Sequence, residues 1–158
     1  MKHVVSFVDI QEPWEAEHLR NALSKIASVK SFTETADLVA KDIKDTTIMS
    51  PFINSKINKS VIDSLPDLKY ITTRSTGFDH IDIEYAKSKG ISTSNVPTYG
   101  ENTVAEHTFA LILSIARNLK KAHFKVSEGD FLIKGLMGFD LRGKTIGVVG
   151  TGHIGLRV

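Results

Sequence analysis

Cysteine is absent from the 158 residues, which removes disulfides, thiolate metal sites and a catalytic thiol from consideration. No long apolar run occurs. The longest, Phe109–Ala116, is eight residues and includes Ser114, far short of the roughly 20 that span a bilayer. Charge of one sign is not in excess either. The 20 Lys and Arg against 18 Asp and Glu leave a net charge of +2, too small to recruit nucleic acid or an anionic membrane. The start, Met1-Lys2-His3-Val4-Val5-Ser6-Phe7-Val8-Asp9, lacks the apolar core and cleavage site of a signal peptide, so a cytoplasmic location is expected. The six histidines show neither H-x-x-x-H nor H-E-x-x-H spacing, so no metal site is expected. What remains is 41% hydrophobic and 24% charged, a globular composition at the length of one ordinary domain.

Short β-rich runs alternate with helical patterns. His3–Val8, Val29–Phe32, Thr46–Met49, Lys69–Thr73 and Ile91–Thr93 read as strands. Glu12–Ile26 reads as a helix with Pro13 in its first turn and Leu19, Leu23 and Ile26 on one face. Lys56–Leu65 and Ile83–Lys89 read as shorter helices, the second capped by Asp82 and stopped by Gly90. This rhythm predicts an α/β fold with a doubly wound parallel sheet. A long helix follows Asn95-Val-Pro-Thr-Tyr-Gly100. Thr103-Val-Ala-Glu106 has the form of a capping box. The helix is apolar nearly all round, which predicts burial on several sides, and Lys120 and Lys121 fall near its expected C-terminal end. The stretch Ala122–Arg142 scatters Phe124, Phe131, Leu136, Met137 and Phe139 among glycines and reads as an extended arm.

Two glycine motifs compete near the end. Thr145–Val149 reads as a strand running into G-x-G-x-x-G at Gly150, Gly152 and Gly155. In that fingerprint the first glycine makes the tight turn, the second admits a pyrophosphate, and the third lets helix and strand close together. Gly138–Thr145 also fits G-x-x-x-x-G-K-T. A phosphate loop of that kind needs a strand before it and a helix after it, and a strand follows here, so the match reads as chance. Upstream, Arg74-Ser-Thr-Gly-Phe-Asp-His-Ile-Asp82 follows a strand, where open parallel sheets bind ligands. Consecutive amides at Ser75–Phe78 suit an anion such as a carboxylate; a plain turn capping the next helix is the equal alternative. His80, His107 and His153 are not placed by sequence to take a substrate proton, and capping accounts for at least one of Asp79 and Asp82. A phospho-receiver would need an Asp after the third strand, where Met49-Ser50-Pro51 stands. A flavin binder would need a phosphate loop at Asp9-Ile-Gln-Glu-Pro-Trp14, which is acidic.

Three segments together, Arg74–Asp82, Asn95-Val-Pro-Thr-Tyr-Gly-Glu-Asn-Thr-Val-Ala-Glu-His107 and Gly143–Gly155, resemble the NAD-dependent D-isomer-specific 2-hydroxyacid dehydrogenases, the D-lactate dehydrogenase branch above all. The resemblance implies a flavodoxin-like substrate-binding domain over residues 1–100, an interdomain helix over 101–119 and a dimerisation arm over 120–142. Residues 143–158 would begin a Rossmann NAD domain. It implies that Ser75, Thr76 and Gly77 hold a small 2-oxo acid by its carboxylate and that Tyr99 lines the pocket. It places Thr103 by the nicotinamide and Gly150, Gly152, His153, Ile154 and Gly155 at the pyrophosphate. The family's catalytic Arg, Glu and His, and the acid that reads the ribose, lie downstream of the fingerprint, as does a segment that completes the first domain. The expected activity is hydride transfer at C2 of a 2-oxo acid, pyruvate first, by a homodimer with NAD. These 158 residues alone are expected to be inactive and to bind NAD weakly or not at all. The alternative is a non-catalytic truncated subunit that dimerises or binds a partner.

Overall fold

The computed structural model describes residues 3–158; Met1 and Lys2, at the head of the expected first domain, lie outside the described residues. The chain divides into two compact units, Met1–Pro97 and Thr98–Val158. The first holds five strands, β1 (His3–Phe7), β2 (Ala27–Ser31), β3 (Ile48–Ser50), β4 (Tyr70–Thr72) and β5 (Ser92–Ser94). All pair in parallel in the order β2-β1-β3-β4-β5, which is the doubly wound, flavodoxin-like order. Helices α1 (Pro13–Leu23), α2 (Lys59–Asp63) and α3 (Ile83–Ser88) fill three of the four crossovers. The fourth, between β2 and β3, is irregular, yet it drives Ala36, Val39 and Ile43 into the core.

The alternation of side chains along each strand divides the core in two. Val5 and Phe7 of β1 pack with Ile48 of β3 under Ala16, Leu19 and Leu23 of α1. Val8, Met49 and Ile71 face the other way, toward Val61 and Ile62 of α2 and Ala86 of α3. The expected apolar stripe on α1 therefore holds for Leu19 and Leu23. Ile26 lies beyond the helix and is 69% exposed, because the chain has already turned into β2. The expected Asp82 cap appears, accepting from the Tyr85 amide; α2 starts three residues later than expected, where Asn58 accepts from the Val61 amide, and each cap supplies an acceptor to a free first-turn donor.

The second unit departs from expectation at four places. Its first helix, α4 (Glu101–Ala116), begins two residues before the expected cap, with Gly100 at the N-cap. Thr103 therefore lies inside the first turn, and no Thr103–Glu106 capping box forms. A left-handed residue, Asn118 at φ 53°, ends the helix run, and α5 (Leu119–Ser127) starts anew. Lys120 and Lys121 consequently sit in the first turn of α5 rather than at a helix C-terminus. Only Ala105 and Ala116 of α4 are buried, while Val104, Phe109, Leu111, Leu113 and Ile115 are exposed. Burial on several sides is thus not observed, since nothing among the described residues covers those faces. Finally, Thr145–Val149 joins no ladder, the paired strands all lying before residue 95. A strand needs a neighbour to take its backbone hydrogen bonds, and none is at hand. No helix among the described residues is long and apolar enough to cross a membrane.

One side chain organises the carboxyl edge of the sheet. Arg74, just past β4, donates from Nη1 to the Ser50 carbonyl at 2.5 Å and from Nη2 to the carbonyls of Asp9 at 2.9 Å and Val8 at 3.1 Å. Its Nε lies 2.8 Å from a Glu15 carboxylate oxygen, and the guanidinium sits against the rings of Phe7 and Phe52, 5.9 and 5.7 Å from their centroids. Burial pulls its pKa below the ordinary value, opposed by Glu15 and Asp9; an arginine stays charged regardless. The planar fork thus ties the ends of β1, β3 and β4 to one another and to α1. Removing it strands a carboxylate and three carbonyls, so Arg74→Met is expected to cost about 3 kcal/mol in urea unfolding. Lysine offers a point charge in place of a fork, so Arg74→Lys is expected to recover less than half of that loss. Wild-type stability in Arg74→Lys would contradict this role.

Candidate functional site

The loop that leaves β4 is built so that its carbonyls are occupied and its amides are not. The Val96 amide donates to the Ser75 carbonyl at 3.1 Å. Asn95 Nδ2 donates to the Thr76 carbonyl at 2.8 Å. Ser75 Oγ donates to the Gly77 carbonyl at 2.7 Å. In a trans peptide the C=O and the following N–H point in opposite directions, and no cis peptide occurs among the described residues. Each carbonyl held by the protein therefore turns the next amide away from its holder. Among the described residues nothing accepts from the N–H groups of Ser75, Thr76, Gly77 or Phe78. Thr76 Oγ1 adds a further clamp, donating to the Val96 carbonyl at 2.9 Å. A run of unclaimed N–H groups is what an anion requires.

The surroundings favour a ligand at this point. A Cβ added at Gly77 would meet nothing within 4 Å, so the glycine leaves open space that its own fold does not use. An open cavity of about 750 Å³ adjoins the loop, lined in part by Asn54, Lys56, Gly77 and His80; small-molecule sites have this size. The neighbouring crevice between β1 and β3, where the strand order reverses, is already filled. Asp9, at φ 60° and 3% exposed, accepts there from the Asn54 amide at 2.8 Å, from Asn54 Nδ2 at 3.1 Å and from Gln11 Nε2 at 2.7 Å. Arg74 covers the adjoining carbonyls.

The other expected site residues belong to the second unit. Tyr99 and Thr103 are exposed. Gly150 adopts φ 96°, a left-handed turn that disfavours any side chain. A Cβ on Gly155 would collide with the Gly150 carbonyl oxygen, whereas one on Gly152 would meet nothing. The three glycines thus show the turn, the open approach and the close return of a dinucleotide loop, and the amides of His153 and Ile154 have no acceptor among the described residues. These features fit a pyrophosphate. Glu101, in the first turn of α4, reaches the same loop: its carboxylate lies 3.3 Å from His153 Nδ1 and 3.7 Å from Arg157 Nε. The loop is followed by a single irregular turn, and neither the feeding strand nor a full helix is formed. No group of three His, Asp or Glu side chains gathers as a metal site among the described residues.

Sequence reasoning singled out Ser75, Thr76 and Gly77 but missed the groups that set them: Asn95, Val96, Arg74 and His80. His80 Nε2 lies 3.1 Å from Thr73 Oγ1, which lies 2.7 Å from Ser75 Oγ. Burial lowers the His80 pKa from its ordinary value near 6.5, against the pull of Asp79 and Asp9. The unfolded chain therefore takes up this proton at a higher pH than the folded chain. Stability from this group is full above about pH 6.5 and declines as pH falls from there toward the folded pKa. The urea midpoint is expected to drop between about pH 7.5 and pH 5, with a shallower slope in His80→Gln. An unchanged slope in that variant would contradict the assignment.

Comparison with known proteins identifies the family. An aromatic 2-oxoacid reductase of Clostridium sporogenes is 36% identical over 151 residues, covering 85% of this chain and 45% of that protein. The crystal structure of D-lactate dehydrogenase from Aquifex aeolicus, complexed with NAD and lactic acid, matches with a TM-score of 0.84 at 36% identity, over 97% of this chain and 46% of that one. The pyruvate reductase of Chlamydomonas reinhardtii matches with a TM-score of 0.86 at 29% identity, over 99% of this chain and 47% of that one. The chain spans just under half the length of these relatives. Residues 4–150 match the family described as D-isomer specific 2-hydroxyacid dehydrogenase, catalytic domain, and the chain belongs to that family.

Proposed function

We propose that these residues form the N-terminal part of an NAD-dependent D-2-hydroxyacid dehydrogenase, in which the loop Ser75–Phe78 holds the carboxylate of a small 2-oxo acid. Pyruvate is the leading substrate, given relatives named for lactate and pyruvate. The observation that carries the reading is the run of free amides at Ser75–Phe78, with the carbonyls of Ser75, Thr76 and Gly77 all held by the protein. When bound, NADH supplies the hydride that reduces C2 to the D-hydroxy acid. Residues 1–100 act as the substrate domain, 101–119 as the interdomain helix and 143–158 as the opening of the NAD domain. Tyr99 lines the substrate pocket and Thr103 faces the nicotinamide. The amides of His153 and Ile154 take the pyrophosphate over Gly150, Gly152 and Gly155. The arm, residues 120–142, makes the homodimer; its exposed Phe124, Phe131, Ile133 and Met137 favour this assignment, since contiguous apolar surface marks an interface.

The anchoring Arg, the proton-delivering His and its Glu partner find no counterpart among the 158 residues. The 158-residue polypeptide by itself is therefore expected to leave NADH unoxidised in the presence of pyruvate, and the full-length protein to oxidise it. In the full-length protein Gly77→Ala is the sharper test, because the added methyl meets no atom of the chain. The melting temperature is expected to stay unchanged while KM for pyruvate rises about tenfold with little change in kcat. An unaltered KM would contradict carboxylate binding at this loop.

A further inference from the structure

The contacts around Thr73 form a chain whose proton positions are determined. The Gly77 carbonyl can only accept, so the single hydroxyl proton of Ser75 points to it, 2.7 Å away. Ser75 Oγ must then accept from Thr73 Oγ1, at 2.7 Å. The Thr73 proton is thereby committed, and the contact of Thr73 Oγ1 with the Pro51 carbonyl is longer, at 3.4 Å. Thr73 Oγ1 is left to accept, and His80 Nε2 at 3.1 Å must carry the hydrogen. Thr73 and Ser75 are 1% and 3% exposed, so water does not compete for these bonds, and burial strengthens each of them.

We propose that His80 is a positioning residue for substrate binding, acting through the hydroxyls of Thr73 and Ser75 to fix the Gly77–Phe78 peptide. This rests on the reading that the loop takes the carboxylate. With the His80 donor in place, the Thr73 oxygen is filled and the Ser75 proton goes to Gly77. Without it, the Thr73 oxygen becomes a free acceptor one hydroxyl rotation away. Ser75 can then turn toward Thr73 and release the Gly77 carbonyl, and the Phe78 amide loses its fixed aim. Although His80 also lines the cavity beside the loop, its role in this account runs through two hydroxyls and a peptide rather than through contact with the carboxylate.

The test compares steady-state kinetics of full-length His80→Ala, His80→Gln, Ser75→Ala and the Ser75/His80 double alanine variant, with melting temperatures for each. His80→Ala is expected to raise KM for pyruvate about five- to tenfold, leaving kcat and KM for NADH near wild type. His80→Gln, which keeps an N–H donor, is expected to restore most of the loss. Ser75→Ala is expected to match His80→Ala, and the double variant to be no worse than either, because both act through one bond. A wild-type KM in His80→Ala, a loss that Gln does not rescue, or additive losses would overturn the proposal. Gly77→Ala in parallel separates the two ideas. If it raises KM while His80→Ala does not, the carboxylate loop stands and the relay falls; if neither moves KM, the loop assignment fails and takes the relay with it.

Discussion

Arg74 leaves the end of β4 and lays its guanidinium across the carbonyls of Val8, Asp9 and Ser50, with Glu15 behind it. Strand ends in an open parallel sheet present unpaired carbonyls, and in doubly wound folds ligands settle where the strand order reverses. Here that crevice, between β1 and β3, is occupied by the protein's own polar groups: the Arg74 fork, the left-handed Asp9 and the Asn54 amide that Asp9 holds. Open space lies instead beside the loop that Arg74 itself begins. Because the anchor and the loop are consecutive in sequence, Ser75 enters the loop at a fixed point.

From there hydrogen-bond partners decide what the loop offers a ligand. Backbone donors and acceptors come in equal numbers, and buried ones find partners. At Ser75, Thr76 and Gly77 the acceptors are all met from within the unit, two from the segment after β5 and one from the Ser75 hydroxyl. The donors are left over, and a Cβ on Gly77 among them would meet nothing. The fingerprint loop of the second unit follows related physics with different means. There a left-handed glycine and a close glycine contact shape the turn, and the Glu101 carboxylate lies beside it, 3.3 Å from His153 Nδ1 and 3.7 Å from Arg157 Nε.

The sequence made the sheet legible because strand and helix signals were local: β-branched runs, the Asp82 cap and Gly90 as a stop. It also pointed to Ser75–Gly77, since a Ser-Thr-Gly turn after a strand is a local pattern. The partners of that turn are about 20 residues away at Asn95 and Val96, and the anchors of Arg74 lie 24 residues away at Ser50 and 65 and 66 away at Asp9 and Val8, just past β1, so no local signal marks them. Two of the departures share one cause. The strand at Thr145–Val149 and the buried helix after Thr103 were read from apolar content, which reports a need for partners. Strands and buried faces exist only where those partners are in contact, and among the described residues Val149 and Ile115 face open space. The capping box failed for a different reason: Gly100 begins the helix earlier, and Glu101 takes the first-turn acidic position.

The central claim is that three consecutive amides, freed by the clamping of their own carbonyls, receive a carboxylate. Amide-resolved NMR of the full-length protein, with oxamate added as a pyruvate mimic that cannot accept hydride, tests it most directly. The account predicts the largest shifts at the Thr76, Gly77 and Phe78 amides, with the Arg74 side-chain signals nearly still. Oxamate binding that leaves those three amides unmoved and shifts residues elsewhere would contradict it.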